Sequence, residues 1–207
     1  ARSSKLHNTK LVHISTDHVF NGQSPLSTEE AEPHPINTYA LTKLQAERTA
    51  LEECPNALVL RTNFFAWGPK YRQSFSDYIL EQLRHERSLS LFDDVYYTPI
   101  LVETLVHCAE ALIAKNQHGI FNVVGDERLS KYEFGLKLAQ AIGANTDLIK
   151  RSSILDRLEL VQRPKDMSLS NHKLQQVLGH GVGNCAHFID RLLTQERPDF
   201  SGEIQKL

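Results

Sequence analysis

This 207-residue sequence lacks the features that assign a protein to a class at first sight. Its apolar runs stay well short of the ~18 residues of a transmembrane helix, so no membrane partner is expected. Basic and acidic residues nearly balance, at a formal charge of −2, so the sequence gives no excess of positive charge that would indicate nucleic-acid binding. What remains is a chain long enough for one globular domain with a full core, or for one and a half smaller domains.

Cysteine is scarce, and the spacings that bind metals are missing. Cys54, Cys108 and Cys185 are odd in number and far apart, which argues against a disulfide framework and favours buried thiols in a reducing cytosol. None of the ten histidines forms a His-x-x-x-His pair or lies with cysteines at zinc spacing. We therefore expect a cytoplasmic protein with no bound metal.

The sequence does contain an alternation of short apolar runs with amphipathic segments, which is typical of an α/β fold with a parallel sheet. The first run is expected to be a central strand, because both of its faces are apolar. The predicted strands are residues 10–15, 57–61, 89–92 and 119–125. The predicted helices are residues 37–50, 74–86, one that ends at about residue 115, and 130–142, the last with a capping box of Ser130 and Glu133.

The helix predicted at 37–50 carries a tyrosine and a lysine at helical spacing. Asn37 or Thr38 can cap it, and Tyr39 and Lys43 are four residues apart, so their side chains share one helix face. An ammonium beside a phenol stabilises the ionised phenolate, which suits the phenol to donate a proton near neutral pH and take it back. A surface helix pair worth ~0.2–0.5 kcal/mol is the alternative interpretation of the same spacing.

A second group of polar residues follows the first predicted strand. Ser15, Thr16 and Asp17 come directly after the apolar run, at the carboxyl end, where open α/β sheets place their chemistry. A hydroxyl at this position and a following helix with a tyrosine and a lysine would bring three groups together. The tyrosine is a proton donor, the lysine lowers its pKa, and the hydroxyl is a second hydrogen-bond donor.

These two groups resemble the active site of the extended short-chain dehydrogenase/reductases. The residues at 14–22, Ile-Ser-Thr-Asp-His-Val-Phe-Asn-Gly, and at 37–47, Asn-Thr-Tyr-Ala-Leu-Thr-Lys-Leu-Gln-Ala-Glu, are most similar to the dTDP-4-dehydrorhamnose reductase family of the sugar-nucleotide branch. Further similarity at 97–105 and 162–169 extends the resemblance over nearly the whole chain, from residue 11 to about 193.

The resemblance implies the reduction of a 4-keto nucleotide sugar by hydride from NADPH or NADH. Tyr39 would protonate the developing alkoxide, and Lys43 would tune it and bind the nicotinamide ribose together with Tyr39. Thr16 would donate a hydrogen bond to the keto oxygen and so stabilise the charge that forms there.

The resemblance also assigns residues around the sugar and the nicotinamide. Asp17 would hold a sugar hydroxyl or tune the pocket, Asn63 would approach the nicotinamide, and Phe64 would pack against the sugar ring. Relatives often have tryptophan at the position of Phe64, so the aromatic ring is kept here and the indole donor is lost. Phe65 and Trp67 have two interpretations, either as core aromatics or as part of the site.

One part of the expected enzyme is missing from this sequence. The extended reductases begin with a strand, a Gly-x-x-Gly-x-x-Gly turn and a helix that holds the pyrophosphate, and nothing before Lys10 can supply them. At ~30 residues per βαβ unit, roughly ninety residues of the nucleotide-binding half would precede the chain. We expect the latter part of a Rossmann-type sheet in residues 1–145 and a small C-terminal α/β substrate domain in residues 146–207. A homodimer, or a partner chain, would complete the fold.

Two other functions are compatible with the same resemblance. One is a sugar-nucleotide epimerase of the superfamily; a dehydratase is disfavoured because Asp17 is followed by His18 rather than by a second acid. The other is a non-catalytic regulatory or binding subunit on the same scaffold. The missing nucleotide half favours a subunit, whereas the retained Thr16, Tyr39 and Lys43 favour an enzyme.

The 207-residue polypeptide is expected to bind NADPH more weakly than micromolar, because the backbone N–H groups of a glycine turn normally hold the pyrophosphate. Calorimetric titration with NADPH, with sedimentation of the same sample, measures this. A well-behaved monomer that binds the cofactor at micromolar strength would contradict the prediction.

Overall fold

The computed structural model describes residues 1–69, 71–157 and 161–195. The polar C-terminal end at 196–207, for which the sequence predicts fraying, lies outside the described residues. Within those ranges, no helix is both long enough and apolar enough to cross a membrane.

Helices and strands alternate along most of the described chain. The helices are α1 (Arg2–Leu6), α2 (Thr38–Glu53), α3 (Phe75–Arg84), α4 (Val102–Ala114), α5 (Lys131–Ala141), α6 (His172–Leu178) and α7 (Cys185–Thr194). The strands are β1 (Val12–Ile14), β2 (Leu58–Arg61), β3 (Phe64–Phe65), β4 (Leu89–Phe92), β5 (Tyr96–Tyr97), β6 (Ile100–Leu101), β7 (Gly119–Asn122), β8 (Leu129–Ser130) and β9 (Ile149–Ser152). All of the predicted helices and strands are present, although some of their ends are displaced by a few residues.

Three parallel strands in the order β1-β2-β7 form the main sheet. β2 is the central strand, and all of its residues are buried. The prediction that β1 is central is wrong for this sheet, because β1 pairs with β2 alone among the described strands. Ile14 of β1 is 39% exposed. The apolar character of β1 therefore marks an uncovered sheet edge.

Three smaller strand pairings continue the α/β architecture. β3 pairs with β6 and β4 with β9 in parallel, and β5 pairs with β8 in antiparallel. One apolar core runs from β2 and β7 through these strands to α5 and α7. The predicted α/β class with parallel strands is confirmed, and the division at residue 145 stays a prediction.

Local sequence signals fix the ends of the helices. The side-chain oxygen of Asn37 accepts a hydrogen bond from the backbone N–H of Ala40 at 2.9 Å and so caps α2. Ser130 and Glu133 form the predicted capping box at the start of α5. Gly179 ends α6 at a φ of 83°, in the left-handed region that glycine adopts without a steric penalty.

A buried ion pair fastens α2 to the main sheet. Glu47 of α2 and Arg61 at the end of β2 each have 2% of the side chain exposed, and Arg61 Nη2 donates to Glu47 Oε2 at 2.8 Å. Arg61 Nε also donates to both carboxylate oxygens, at 3.1 and 3.2 Å, and the Ser15 hydroxyl donates to Oε1. The carboxylate thus joins the tyrosine-bearing helix to the strand ends that precede Thr16 and Asn63.

We expect Glu47→Gln to lower the free energy of unfolding by about 3–5 kcal/mol, because it leaves the Arg61 charge buried without its counter-ion. Chemical denaturation measures the loss. Glu52→Gln, an exposed position on the same helix, is the matched control and should change stability by about 0.5 kcal/mol or less. Similar losses in the two variants would contradict this role of the ion pair.

Candidate active site

The carboxyl ends of β1 and β2 are adjacent, and they lead into Thr16 and Asn63 respectively. Thr16 precedes a short 3-10 helix, Asp17–Val19, and its Oγ1 accepts a hydrogen bond from His18 N at 3.2 Å. The same hydroxyl donates to Asp17 Oδ1 at 3.1 Å. Because a hydroxyl hydrogen can rotate, Thr16 can transfer this donation to a substrate oxygen.

Asp17 lies at the centre of this strand-end cluster and is almost fully buried. Its two oxygens accept hydrogen bonds from the Thr16 hydroxyl and from Asn63 Nδ2. Burial raises the pKa of Asp17, while the nearby His18, Asn63 and Lys131 act in the opposite direction. The structure thus brings Thr16, Asp17 and Asn63 together at the carboxyl ends of β1 and β2.

Tyr39 and Lys43 lie in the first two turns of α2, as predicted. Tyr39 is 55% exposed, which leaves its ring accessible from solvent. Lys43 is half-buried, and its Nζ donates to the backbone oxygen of Ile14 at 2.6 Å. This bond ties the helix to the last residue of β1, two residues before Thr16. The tuning of Tyr39 by Lys43 stays a prediction.

A cleft of about 420 Å³ opens in front of Tyr39. It is lined by His18, Asn37, Thr38, Tyr39, Val161 and Arg163. The His18 ring meets the Tyr39 ring edge to face, with ring centres 5.8 Å apart, and burial lowers the pKa of His18. Within the described part of the chain, the buried Nδ1 of His18 has no hydrogen-bond partner. Sequence reasoning missed His18 as a site residue, although its position beside Asp17 was a usable signal.

Lys131 is a second residue that sequence reasoning missed. It is the first residue of α5, where a positive charge opposes the helix macrodipole. Its Nζ lies 3.2 Å from the centre of the Tyr97 ring, and burial lowers the pKa of Lys131 to about 8. Its charge acts on Asp17 and His18. The unfavourable helix position was the one signal in the sequence.

The three aromatic residues after β2 have different environments. Phe64 is 49% exposed, as a residue that contacts a ligand should be. Phe65 is buried and packs edge to face on Phe134, with ring centres 5.1 Å apart. Trp67 packs against the core and donates its indole N–H to the Leu192 oxygen at 2.8 Å. Phe65 and Trp67 are therefore core residues, and Phe64 is the aromatic that stays available.

The three cysteines are buried and form no disulfide bonds. Burial raises the pKa of Cys108 to about 11 and that of Cys185 to about 12, so both thiols stay protonated at neutral pH. Cys54 is also buried. In the described part of the chain, no cluster of three or more histidine, cysteine or acidic side chains could hold a metal ion.

A parallel α/β sheet with a threonine after one strand, and a helix carrying a Tyr-x-x-x-Lys pair beside it, defines the short-chain dehydrogenase/reductase class. Within that class, residues 1–196 match the family model described as the RmlD substrate binding domain. The chain belongs to this family.

Curated relatives of two kinds match the chain. The dTDP-4-dehydrorhamnose reductase of Aggregatibacter actinomycetemcomitans is 27% identical over 191 residues, which is 86% of this chain and 64% of the relative. The methionine adenosyltransferase 2 subunit beta of Danio rerio is 30% identical over 179 residues, which is 83% of this chain and 55% of the relative. The chain thus spans less than two thirds of the length of these relatives.

A solved structure gives the same architecture. The dTDP-4-dehydrorhamnose reductase of Bacillus anthracis, in complex with NADP, superimposes with a TM-score of 0.85 at 23% identity. The match covers 94% of this chain and 68% of that one. It confirms the predicted Rossmann-type α/β fold.

Because Phe64 is half exposed and Phe65 is buried, truncating each side chain to alanine should lower the stability of the fold by different amounts. We expect Phe65→Ala to lower the free energy of unfolding by about 3–5 kcal/mol and Phe64→Ala by about 0.5 kcal/mol or less. Urea denaturation of both variants measures the difference. Equal losses would make Phe64 a core residue and remove it from the site.

Proposed function

We propose that this chain forms the substrate-binding and proton-donating part of an NAD(P)H-dependent reductase that acts on a 4-keto nucleotide sugar. The observation that carries the proposal is the cleft beside Tyr39. The helix that presents Tyr39 is tied through Lys43 to the end of β1, and Thr16 follows that same strand. We propose that the phenol of Tyr39 and the hydroxyl of Thr16 act on the same carbonyl oxygen.

In this proposal Tyr39 protonates the alkoxide that forms from the keto oxygen. Lys43 favours the phenolate that remains after the transfer. Thr16 donates its hydroxyl hydrogen toward the same oxygen and stabilises the negative charge as it develops. Asn63, bonded to Asp17, keeps the strand-end cluster in place.

The residues present fit the nicotinamide ribose. An ammonium has three donors, and Ile14 accepts only one hydrogen bond from Lys43, so the others can reach a ribose hydroxyl. Tyr39 and Asn63 are proposed to contact the cofactor as well. When bound, NADPH or NADH supplies the hydride. No glycine-rich turn for the pyrophosphate occurs in these 207 residues.

The sugar is proposed to bind between the cleft and Phe64. The half-exposed ring of Phe64 offers an apolar face for the sugar ring. Asp17, whose almost fully buried oxygens accept hydrogen bonds from Thr16 and Asn63, is proposed to tune the pocket or to hold a sugar hydroxyl. The nucleotide-sugar substrate is supported by the names of the reductase relatives.

The cellular compartment, the domain division and the partner of the chain are also proposals. Three buried, free thiols are typical of a reducing compartment, and we propose that the protein lies in the cytoplasm. Residues 1–145 would form the catalytic part and 146–207 the substrate-domain tail. The uncovered edge of β1 could pair with a nucleotide-binding half supplied by a partner chain, or with a second copy in a homodimer.

A second candidate is a non-catalytic regulatory subunit. It is favoured by the relatives named as the beta subunit of methionine adenosyltransferase 2, one of which is 30% identical. An epimerase of the same superfamily is a weaker alternative, supported at the level of the fold alone. The Thr16, Tyr39 and Lys43 set supports the reductase over the subunit.

In a protein that joins these 207 residues to a dinucleotide-binding half, Tyr39→Phe should lower kcat by ~10²-fold or more, because the proton donor is lost. Steady-state kinetics with a 4-keto nucleotide sugar measure the loss, and cofactor affinity should change little. Tyr71→Phe, at an exposed tyrosine that is not among the residues lining the cleft, is the matched control. If Tyr39→Phe keeps nearly full turnover, Tyr39 is not the donor.

A further inference from the structure

The cleft beside Tyr39 is lined by two stretches that come from distant parts of the sequence. Asn37 and Tyr39 belong to the stretch at the start of α2, and Val161 and Arg163 belong to a second stretch, the segment 161–164. The shape of the cleft therefore depends on the contacts that hold this segment in place beside α2.

The side-chain amide of Asn37 joins the two stretches directly. Its Oδ1 accepts the hydrogen bond from Ala40 N that caps α2, and its Nδ2 donates to the backbone oxygen of Gln162 at 3.2 Å. Gln162 lies between the two residues of the segment that line the cleft. Serine and aspartate cap helices about as well as asparagine does, so the amide is needed for the second contact rather than for the cap.

Gly22 packs closely against the same segment. A β-carbon at position 22 would lie 2.7 Å from Pro164 Cβ and 2.8 Å from Lys165 N, which is too close for either neighbour. Pro164 is buried, and the backbone oxygen of Lys165 accepts a hydrogen bond from Tyr96 N at 2.7 Å. A side chain at position 22 would therefore displace the backbone next to Arg163, or break the contact with Tyr96.

We propose that Asn37 and Gly22 form a clamp that fixes the segment 161–164 beside the cleft, so that both are positioning residues for the nucleotide sugar. This inference rests on the proposed function, since it assumes that a nucleotide sugar binds in the cleft. The group that the clamp positions is Arg163, which is the one permanently charged side chain among the described residues that line the cleft. Its positive charge suits an anionic ligand.

The alternative is that Gly22 serves the backbone conformation and has no effect on the ligand. Gly22 has a φ of 78°, in the left-handed region that strains other residues. Gly179 separates the two roles, because it has a φ of 83° and no atom lies within 4 Å of a β-carbon at its position. Alanine is therefore strained to a similar extent at both glycines, but the alanine at position 22 also collides with the clamped segment.

Amide hydrogen exchange of the 207-residue chain tests the clamp without a ligand. The amide of Tyr96 reports on the segment, because it donates to the backbone oxygen of Lys165. We expect this amide to exchange about tenfold faster in Gly22→Ala than in the unaltered chain, which is the scale of overpacking at a close contact. In Gly179→Ala its exchange should stay close to that of the unaltered chain.

Calorimetric titration with dTDP-glucose tests the effect on the ligand. Gly22→Ala and Asn37→Ser should each weaken binding by about tenfold, the scale of one lost charge-assisted hydrogen bond. Asn37→Ser keeps a side chain that can cap α2 and removes the amide that reaches Gln162. Gly179→Ala should bind as tightly as the unaltered chain, and circular dichroism of each variant shows whether it is folded.

Each outcome bears on the inference. Unchanged exchange at Tyr96 in Gly22→Ala overturns it, and so does binding that is as tight in Gly22→Ala and Asn37→Ser as in the unaltered chain; both results leave the proposed function standing. An equal loss of affinity in Gly179→Ala assigns the effect to backbone strain and also overturns the inference. If the unaltered chain does not bind dTDP-glucose, the proposed function fails together with the inference. If Gly22→Ala does not fold, binding by Asn37→Ser decides.

Discussion

The buried contact between Glu47 and Arg61 is the constraint on which the rest of the candidate site depends. One carboxylate accepts hydrogen bonds from the end of β2, through Arg61, and from Ser15 after β1. The same helix carries Tyr39 and Lys43. A buried ion pair is stable only in good geometry, so this contact also sets the position of the helix over the strand ends. Arg61 Nη1 is buried and has no hydrogen-bond partner among the described residues.

The polar groups of the candidate site differ in burial and in how many of their hydrogen-bonding atoms are already used. Glu47 and Arg61 are fully buried and paired, and Asp17 is buried and bonded to its neighbours on both oxygens. Tyr39 and Lys131, in contrast, keep donors that the described chain does not use. The proposed reductase would use this division, because a site catalyses best when fixed groups hold the reacting ones in place and the reacting ones stay open to the substrate.

Local features of this protein could be predicted from the sequence, and contacts between distant segments could not. The α2 helix and its Asn37 cap depend on neighbouring residues, and so does the shared face of Tyr39 and Lys43. The edge position of β1 depends on which strands pair, and an apolar run does not report that. Lys131 is far from Asp17 in the sequence, and the effect of one charge on the other depends on the tertiary fold. The sequence therefore could not predict it.

The indole of Trp67 gives the protein an optical property that follows from its packing. It is the only tryptophan in the chain, and its N–H donates to the backbone oxygen of Leu192 in α7. Excited indole emits at a wavelength that depends on the polarity around it. The tryptophan emission of this protein is therefore expected to report on the docking of α7 against the segment that follows β3, without any label attached to the chain.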